Sequence, residues 1–326
     1  MRPVSRSTVF IICIVLVLLI VCSVAAQHDR LPARLWFNVS QLLQPVEPDA
    51  IKLGEYHVVL QGMEIKGIED DASSLTFDPI RQTLFTVTNK DAELFELSLD
   101  GRILRRIKLI GFGDAEAVEF VGENTYVIAD EREHRLFKVK VDDNTRVLDA
   151  RDAEQLTLGL HKPSNKGFEG LAYDPVGKRM FVAKERDPML IYEVRGFPLD
   201  NSRQPSAIHV ATHPQRDAGL FVRDLSDLEH DKRTGHLLAL SDESKLLLEL
   251  GLDGKPISTL SLKKGQHGLA RSVPQAEGVA MDDKGTVYVV SEPNLFIVSR
   301  SLSSDFGKNR AGKSQRLIFA LLSIED

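Results

Sequence analysis

Asn165 to Arg186 reads NKGFEGLAYDPVGKRMFVAKER, and its pattern decides the fold. Gly170 to Tyr173 predicts a short strand, Asp174-Pro175-Val176-Gly177 a tight turn, and Met180 to Ala183 a second strand. One carboxylate, Glu169, stands before the first strand and another, Glu185, follows the second. In an antiparallel hairpin the start of one strand lies beside the end of the next, so both acids share the edge remote from the turn.

The unit recurs five times. The first strand is led by Asp71-Ala72-Ser73-Ser74, Asp114-Ala115-Glu116-Ala117, Gly167-Phe168-Glu169-Gly170, Asp224-Leu225-Ser226-Asp227 and Gln275-Ala276-Glu277-Gly278. The second ends in Thr88-Asn89, Ala129-Asp130-Glu131, Lys184-Glu185, Ser241-Asp242-Glu243 and Ser291-Glu292. Anchors at Ser73, Glu116, Glu169, Ser226 and Glu277 lie 43, 53, 57 and 51 residues apart. A period of roughly 40–50 residues with several strands in each is the signature of propeller blades. The expected fold is therefore all-β: a β-propeller of five antiparallel four-stranded blades, with six blades, one incomplete, as the alternative. Two segments compete to close the circle, Tyr56–Ile68 and Leu317–Ile324.

Outward from the repeats, the N-terminus carries Arg2 and Arg6 before a charge-free run from Ser7 to Gln27. That pattern fits an export signal ending in Val24-Ala25-Ala26, or an anchor of nearly the length a bilayer requires. Residues 1–26 read as that segment, an N-terminal hydrophobic helix that holds the propeller behind it at the inner membrane, outside the cytoplasm. Cleavage, leaving a periplasmic protein, is the alternative. Residues 27–50, with Pro32, Pro45 and Pro48, read as a tether, and 51–326 as the propeller. Arg195 to Val222 reads as a surface excursion. Both cysteines, Cys13 and Cys22, fall in the first segment, so the exported part has no disulfide. A net charge of −6 argues against a nucleic-acid surface.

The chemistry rests on the recurring edge acids. With each first strand innermost, Glu116, Glu169 and Glu277 converge on one face of the central channel, and Ser73 and Ser226 fill the two remaining inner places. Asp130, Glu185, Asp242 and Glu292 end the second strands on that same face, with Asn89 in the matching place of the first blade. Carboxylates so crowded cannot all stay ionised without compensation. A hard cation, Ca²⁺ or alternatively Mg²⁺, suits an all-oxygen ligand set. The competing reading pairs the acids with Lys90, Arg132, Lys184, Arg186 and Lys245 and leaves a solvated rim. No G-x-S-x-G, HExxH, P-loop or strand-following GxGxxG occurs.

The segments NKGFEGLAYDP, FVAKERDP, DLSDLEHD, LLALSDESKLLLELGLDG, PQAEGVAMDDKG and VYVVSEPNLF resemble the SdiA-regulated, YjiK-like family of bacterial β-propeller proteins, over Tyr56 to Val298. The resemblance implies a propeller in the bacterial cell envelope, kin to calcium-containing propellers whose metals lie near the axis, and it implies no established reaction. The chain past Val298 departs from that pattern. The expected function is binding of a divalent cation, and of a small-molecule or protein partner, at the acidic face. The alternative is a metal-dependent hydrolase acting on phosphoesters or lactones.

Overall fold

The computed structural model describes residues 15–17, 30–43, 47–69, 71–159, 167–198 and 207–302. The N-terminal segment, apart from 15–17, and the candidate strand Leu317–Ile324 lie outside the described residues.

Five sheets stand around one axis. Blade I holds β2 (Ala72–Asp78), β3 (Thr83–Thr88), β4 (Glu93–Leu97) and β5 (Ile103–Ile110). Blade II holds β6 (Ala115–Gly122), β7 (Thr125–Asp130), β8 (Arg135–Lys140) and β10 (Glu154–Thr157). Between β8 and β10 the chain crosses back to add a fifth strand, β9 (Val147–Asp149), parallel to β5 on the outer edge of blade I. Blade III holds β11 (Phe168–Asp174), β12 (Arg179–Lys184), β13 (Leu190–Arg195) and β14 (His209–Thr212). Blade IV holds β15 (Asp227–Asp231), β16 (His236–Ser241), β17 (Leu246–Leu250) and β18 (Pro256–Ser261). Blade V holds β19 (Gln275–Met281), β20 (Val287–Glu292) and β21 (Leu295–Ser301), and is completed by β1 (Tyr56–Glu64). The N-terminal strand is thus the latch, paired from Tyr56 opposite Ser301 to Glu64 opposite Leu295. Part of the stretch expected as a surface excursion is instead structural: it supplies β14 and a short helix, α2 (Pro214–Gly219).

The innermost strands, β2, β6, β11, β15 and β19, touch in sequence around a closed ring. Their residues are almost all buried, as are those of β3, β7, β12, β16 and β20. A strand buried on both faces reads as a continuous apolar run, because blades stack face to face. Five apolar clusters fill the five seams between successive blades. The V–I seam, for example, sets Phe77, Leu84 and Phe95 against Tyr288, Val290 and Phe296. Each fully buried side chain of this size contributes about 1.5–3 kcal/mol.

The Asp of each turn works locally. Asp78 Oδ1 accepts the N–H groups of Ile80 (2.8 Å) and Arg81 (3.0 Å), and Asp174 Oδ1 those of Val176 (3.0 Å) and Gly177 (2.8 Å). Asp282 Oδ1 does the same for Lys284 (2.9 Å) and Thr286 (2.8 Å). These side chains mimic a backbone turn. Blade II lacks the Asp and turns instead through positive φ at Glu123 and Asn124.

Part of the stretch read as a tether is helical. Leu31–Leu43 forms helix α1, whose Phe37 is buried against Phe221 with ring centroids 4.9 Å apart. It covers the seam between blades III and IV.

Candidate functional site

Three β-bulges aim the inner glutamates. In β11, Phe168 faces Lys184 and Gly170 faces Ala183, leaving Glu169 as the extra residue. Ala115 and Ala117 likewise bracket Glu116 in β6, and Ala276 and Gly278 bracket Glu277 in β19. A bulge bends the strand and re-aims one side chain. The next residue explains why that side chain turns into the mouth. A Cβ on Gly278 would stand 2.4 Å from the Ser74 carbonyl carbon, and one on Gly170 2.7 Å from Asp227 Cα. In blades III and V the backbones meet there, so side-chain bulk has room only one residue earlier.

In blade IV the glycine's place is taken by Asp227, and the acid's place by Ser226. Asp227 is fully buried and spans the axis. Its carboxylate accepts N–H groups from Val279 (2.9 Å) and Leu75 (3.1 Å), its own neighbour Leu228 (2.9 Å), and the Ser74 hydroxyl (3.3 Å). One carboxylate thereby ties three blades together and floors the channel. Burial pushes its pKa well up, against the backbone donors that favour the charged form. Below it lie two further buried acids. Glu119 accepts from the Thr76 hydroxyl (2.8 Å) and the Tyr173 N–H (2.9 Å), and burial raises its pKa to about 7. Glu229 is raised well above the ordinary range, by burial and then by Glu119.

Above the floor opens a cavity of about 330 Å³. Glu116, Glu169, Glu185, Asp242, Glu277, Glu292, Asn89, Ser73 and Ser226 all line it, as the repeat alignment predicted. Arg186, Asp224, Glu243 and Gln275 join them. Asp130 does not belong. It is fully buried, held by Arg135 (2.7 Å) and by the N–H groups of Asp114 and Glu133. The reason is a one-residue offset. Asp130 sits opposite Ala115 within the ladder, as Lys184 sits opposite Phe168. Glu131 is the residue in step with Asn89, Glu185, Asp242 and Glu292, and neighbouring residues of a strand face opposite ways.

Glu131, Asp114 and Glu116 form a compact trio, with one carboxylate oxygen of each within 4.8 Å of the others. Asn89 Nδ2 donates to Glu116 Oε1 at 2.5 Å, and the Gly167 N–H donates to Glu131 Oε1 at 3.0 Å. Asn89 Oδ1 is buried with no hydrogen-bond partner. Glu169 hydrogen-bonds Glu131, so the trio connects to the rest of the mouth.

The expected ion pairs hold for part of the rim. Arg132 pairs with Asp114 (2.7 Å), Arg186 with Glu185 (2.7 Å) and with Glu243, and Lys245 with Asp242. Lys90 pairs away from the mouth, with Asp71. Among the described residues no cation pairs with Glu116, Glu169 or Glu277. Burial raises the Glu116 pKa to about 7, opposed by hydrogen bonds from Asn89 and Ser73. Burial, then the charges of Glu292 and Asp242, raise Glu277 to about 8. Glu169 is pushed well up by burial and then by Glu116, Glu131, Glu185 and Glu277. The three inner glutamates are thus all shifted toward the neutral form.

Among solved structures the chain is similar to a calcium-binding protein, regucalcin, from Agrobacterium tumefaciens C58, at 14% identity over 74% of this chain and 92% of that one, with a TM-score of 0.44. It is similar to a luciferin-regenerating enzyme (11%, covering 76% and 95%, TM-score 0.45) and to a chain of a nidogen/laminin complex (14%, covering 72% and 85%, TM-score 0.44). At these identities and TM-scores the likenesses bear on neither ligand nor activity. The family comparison is specific: the model of the SdiA-regulated family matches residues 48–300, and the chain belongs to that family.

Proposed function

We propose that this protein is a cell-envelope propeller that binds a divalent cation, Ca²⁺ in preference to Mg²⁺, in its acidic mouth, and presents that mouth to a ligand or protein partner. The observation that carries the reading is the close Asp114, Glu116 and Glu131 trio, together with the buried, partnerless Oδ1 of Asn89, whose Nδ2 donates to Glu116. A buried carbonyl oxygen without a donor is costly, and a hard cation satisfies it together with the crowded carboxylates. Oxygen donors of mixed charge and a roomy mouth suit Ca²⁺, which accepts irregular coordination, better than the strictly octahedral Mg²⁺.

A thermal melt tests this with EDTA and then with Ca²⁺ or Mg²⁺, on wild type and Glu116→Gln. Ca²⁺ at a hundredfold excess over Kd stabilises by about 2.7 kcal/mol, a shift of several degrees. Glu116→Gln keeps the shape, removes one charge and shrinks the shift. Identical melts in all conditions would leave only a paired, solvated rim.

A second reading, metal-dependent hydrolysis, is favoured by the burial of Glu116 and Glu277 in the mouth, which raises their carboxyl groups to about 7 and about 8, the range in which acid–base catalysis operates. Turnover of phosphoester or lactone substrates that is lost in Glu277→Gln would support it.

A further inference from the structure

Helix α1 carries an apolar stripe that the propeller does not use. Leu31, Leu35, Val39 and Leu43 recur at four-residue spacing, and Trp36 adjoins them. At roughly 100° per residue the five occupy a band about 140° wide. Leu35 is 63%, Trp36 74% and Leu43 78% exposed. The opposite side of the helix is fixed, by Phe37 against Phe221 and by Arg30 Nη1 donating to the Leu220 carbonyl at 3.2 Å. The stripe is therefore held outward by a docked helix. It contains no acid, and Arg30 and Arg34 stand at its N-terminal end.

The chain just before α1 says what meets the stripe. The charge-free run Ser7–Gln27 ends four residues before Leu31. Four residues reach at most roughly 14 Å, under half the thickness of a bilayer core. If that run enters a membrane, α1 begins at its surface. An amphipathic helix with Trp and Leu on one side and Arg nearby suits the lipid interface. Among the described residues no helix is long and apolar enough to cross a membrane, and α1, at 13 residues, is too short to span a bilayer core.

We propose that α1 is a membrane-surface contact: its outward stripe seats in the headgroup–acyl boundary and holds the seam between blades III and IV against the bilayer. The proposal rests on the reading that Ser7–Gln27 enters the membrane, and it adds a second, rigid attachment to that one.

Trp36 is the sole tryptophan of the chain, so its emission reports the stripe alone. The full-length protein is reconstituted into vesicles of phosphatidylethanolamine and phosphatidylglycerol. Flotation measures anchoring. Brominated phospholipids and aqueous iodide measure the depth of Trp36. The expected result is a floating chain whose Trp36 is quenched by brominated lipid and severalfold protected from iodide. The double variant Leu35→Ser, Leu43→Ser alters only exposed side chains. It should still float and melt as wild type, while Trp36 becomes accessible to iodide. A chain that floats with Trp36 fully open to iodide overturns the proposal alone and leaves the stripe to a protein partner. A chain that does not float overturns the anchoring reading and the proposal with it.

Discussion

Replacing Glu277 with Gln should stabilise the fold at alkaline pH and leave it unchanged at acid pH. Glu277 is half-buried in the mouth, with Glu292, Asp242 and Glu116 as its main electrostatic neighbours, and its pKa rises from the ordinary 4.5 to about 8. A raised carboxyl keeps its proton in the folded protein to higher pH than in the unfolded chain. Its contribution to stability is fully present below 4.5 and is lost as pH climbs through 8. At 1.36 kcal/mol per unit, the shift sets a ceiling of about 5 kcal/mol. Water in the open mouth screens part of this, and we expect about 2–4 kcal/mol. Gln matches the protonated acid in shape and never ionises. Guanidinium denaturation in EDTA at pH 5, 7 and 9 should show variant and wild type within about 1 kcal/mol of each other at pH 5, with the variant ahead by the full amount at pH 9. Added Ca²⁺ should then narrow the gap, because the cation relieves the wild-type charge and has less to relieve in the variant. A difference between the two proteins that stays constant from pH 5 to pH 9 would refute the reasoning.

Two further outcomes concern the channel floor. Asp227→Ala leaves the N–H groups of Leu75, Leu228 and Val279 without their acceptor. At about 1–3 kcal/mol for each of these three unsatisfied buried groups, the loss should reach about 3–9 kcal/mol. Asp227→Asn, which keeps one acceptor oxygen, should lose markedly less. Equal denaturation midpoints for the two variants would deny Asp227 its tying role. Gly278→Ala should lower the melting temperature through a backbone shift worth about 1–3 kcal/mol, since its Cβ would stand 2.4 Å from the Ser74 backbone. An unchanged melt would mean the inner strands do not meet as closely as described.

Blade number, strand order within the hairpins and nearly the whole ring of mouth residues were legible in the repeats, because the acid–strand–turn–strand–acid unit is local. What escaped has physical causes. Asp130 and Glu131 are adjacent acids, and only the register of β7, with Asp130 opposite Ala115, sets which of them turns toward Glu116. Aligning each second strand by its last apolar residue would have found Glu131, since Ala129 matches Ala183. Asp227, Glu119 and Glu229 sit inside strands, where an acid reads as a solvent-facing residue. Their burial follows from packing around the axis, which a linear reading does not contain. The fourth strands β10 and β14 are short and half-exposed, so they carry little apolar signal. Helix α1 was hidden by its apolar stripe, which faces away from the core and shares the segment with prolines.

The pairing of β1 with β21 also sets an order of assembly. Blades I to IV are built from strands that follow one another closely in the chain, and each can form as soon as its own residues emerge. The strand Tyr56–Glu64 emerges before all of them, yet its partner Leu295–Ser301 emerges last. For most of synthesis the ring is an open arc, with an unpaired strand at one end and the exposed face of blade IV at the other. Pairing of such distant segments is intrinsically slow, and unpaired edges recruit foreign strands. Loss of Leu295–Ser301 would therefore open two edges at once, that of β20 and that of β1. A truncated chain would carry four sound blades and still be the form most prone to aggregate.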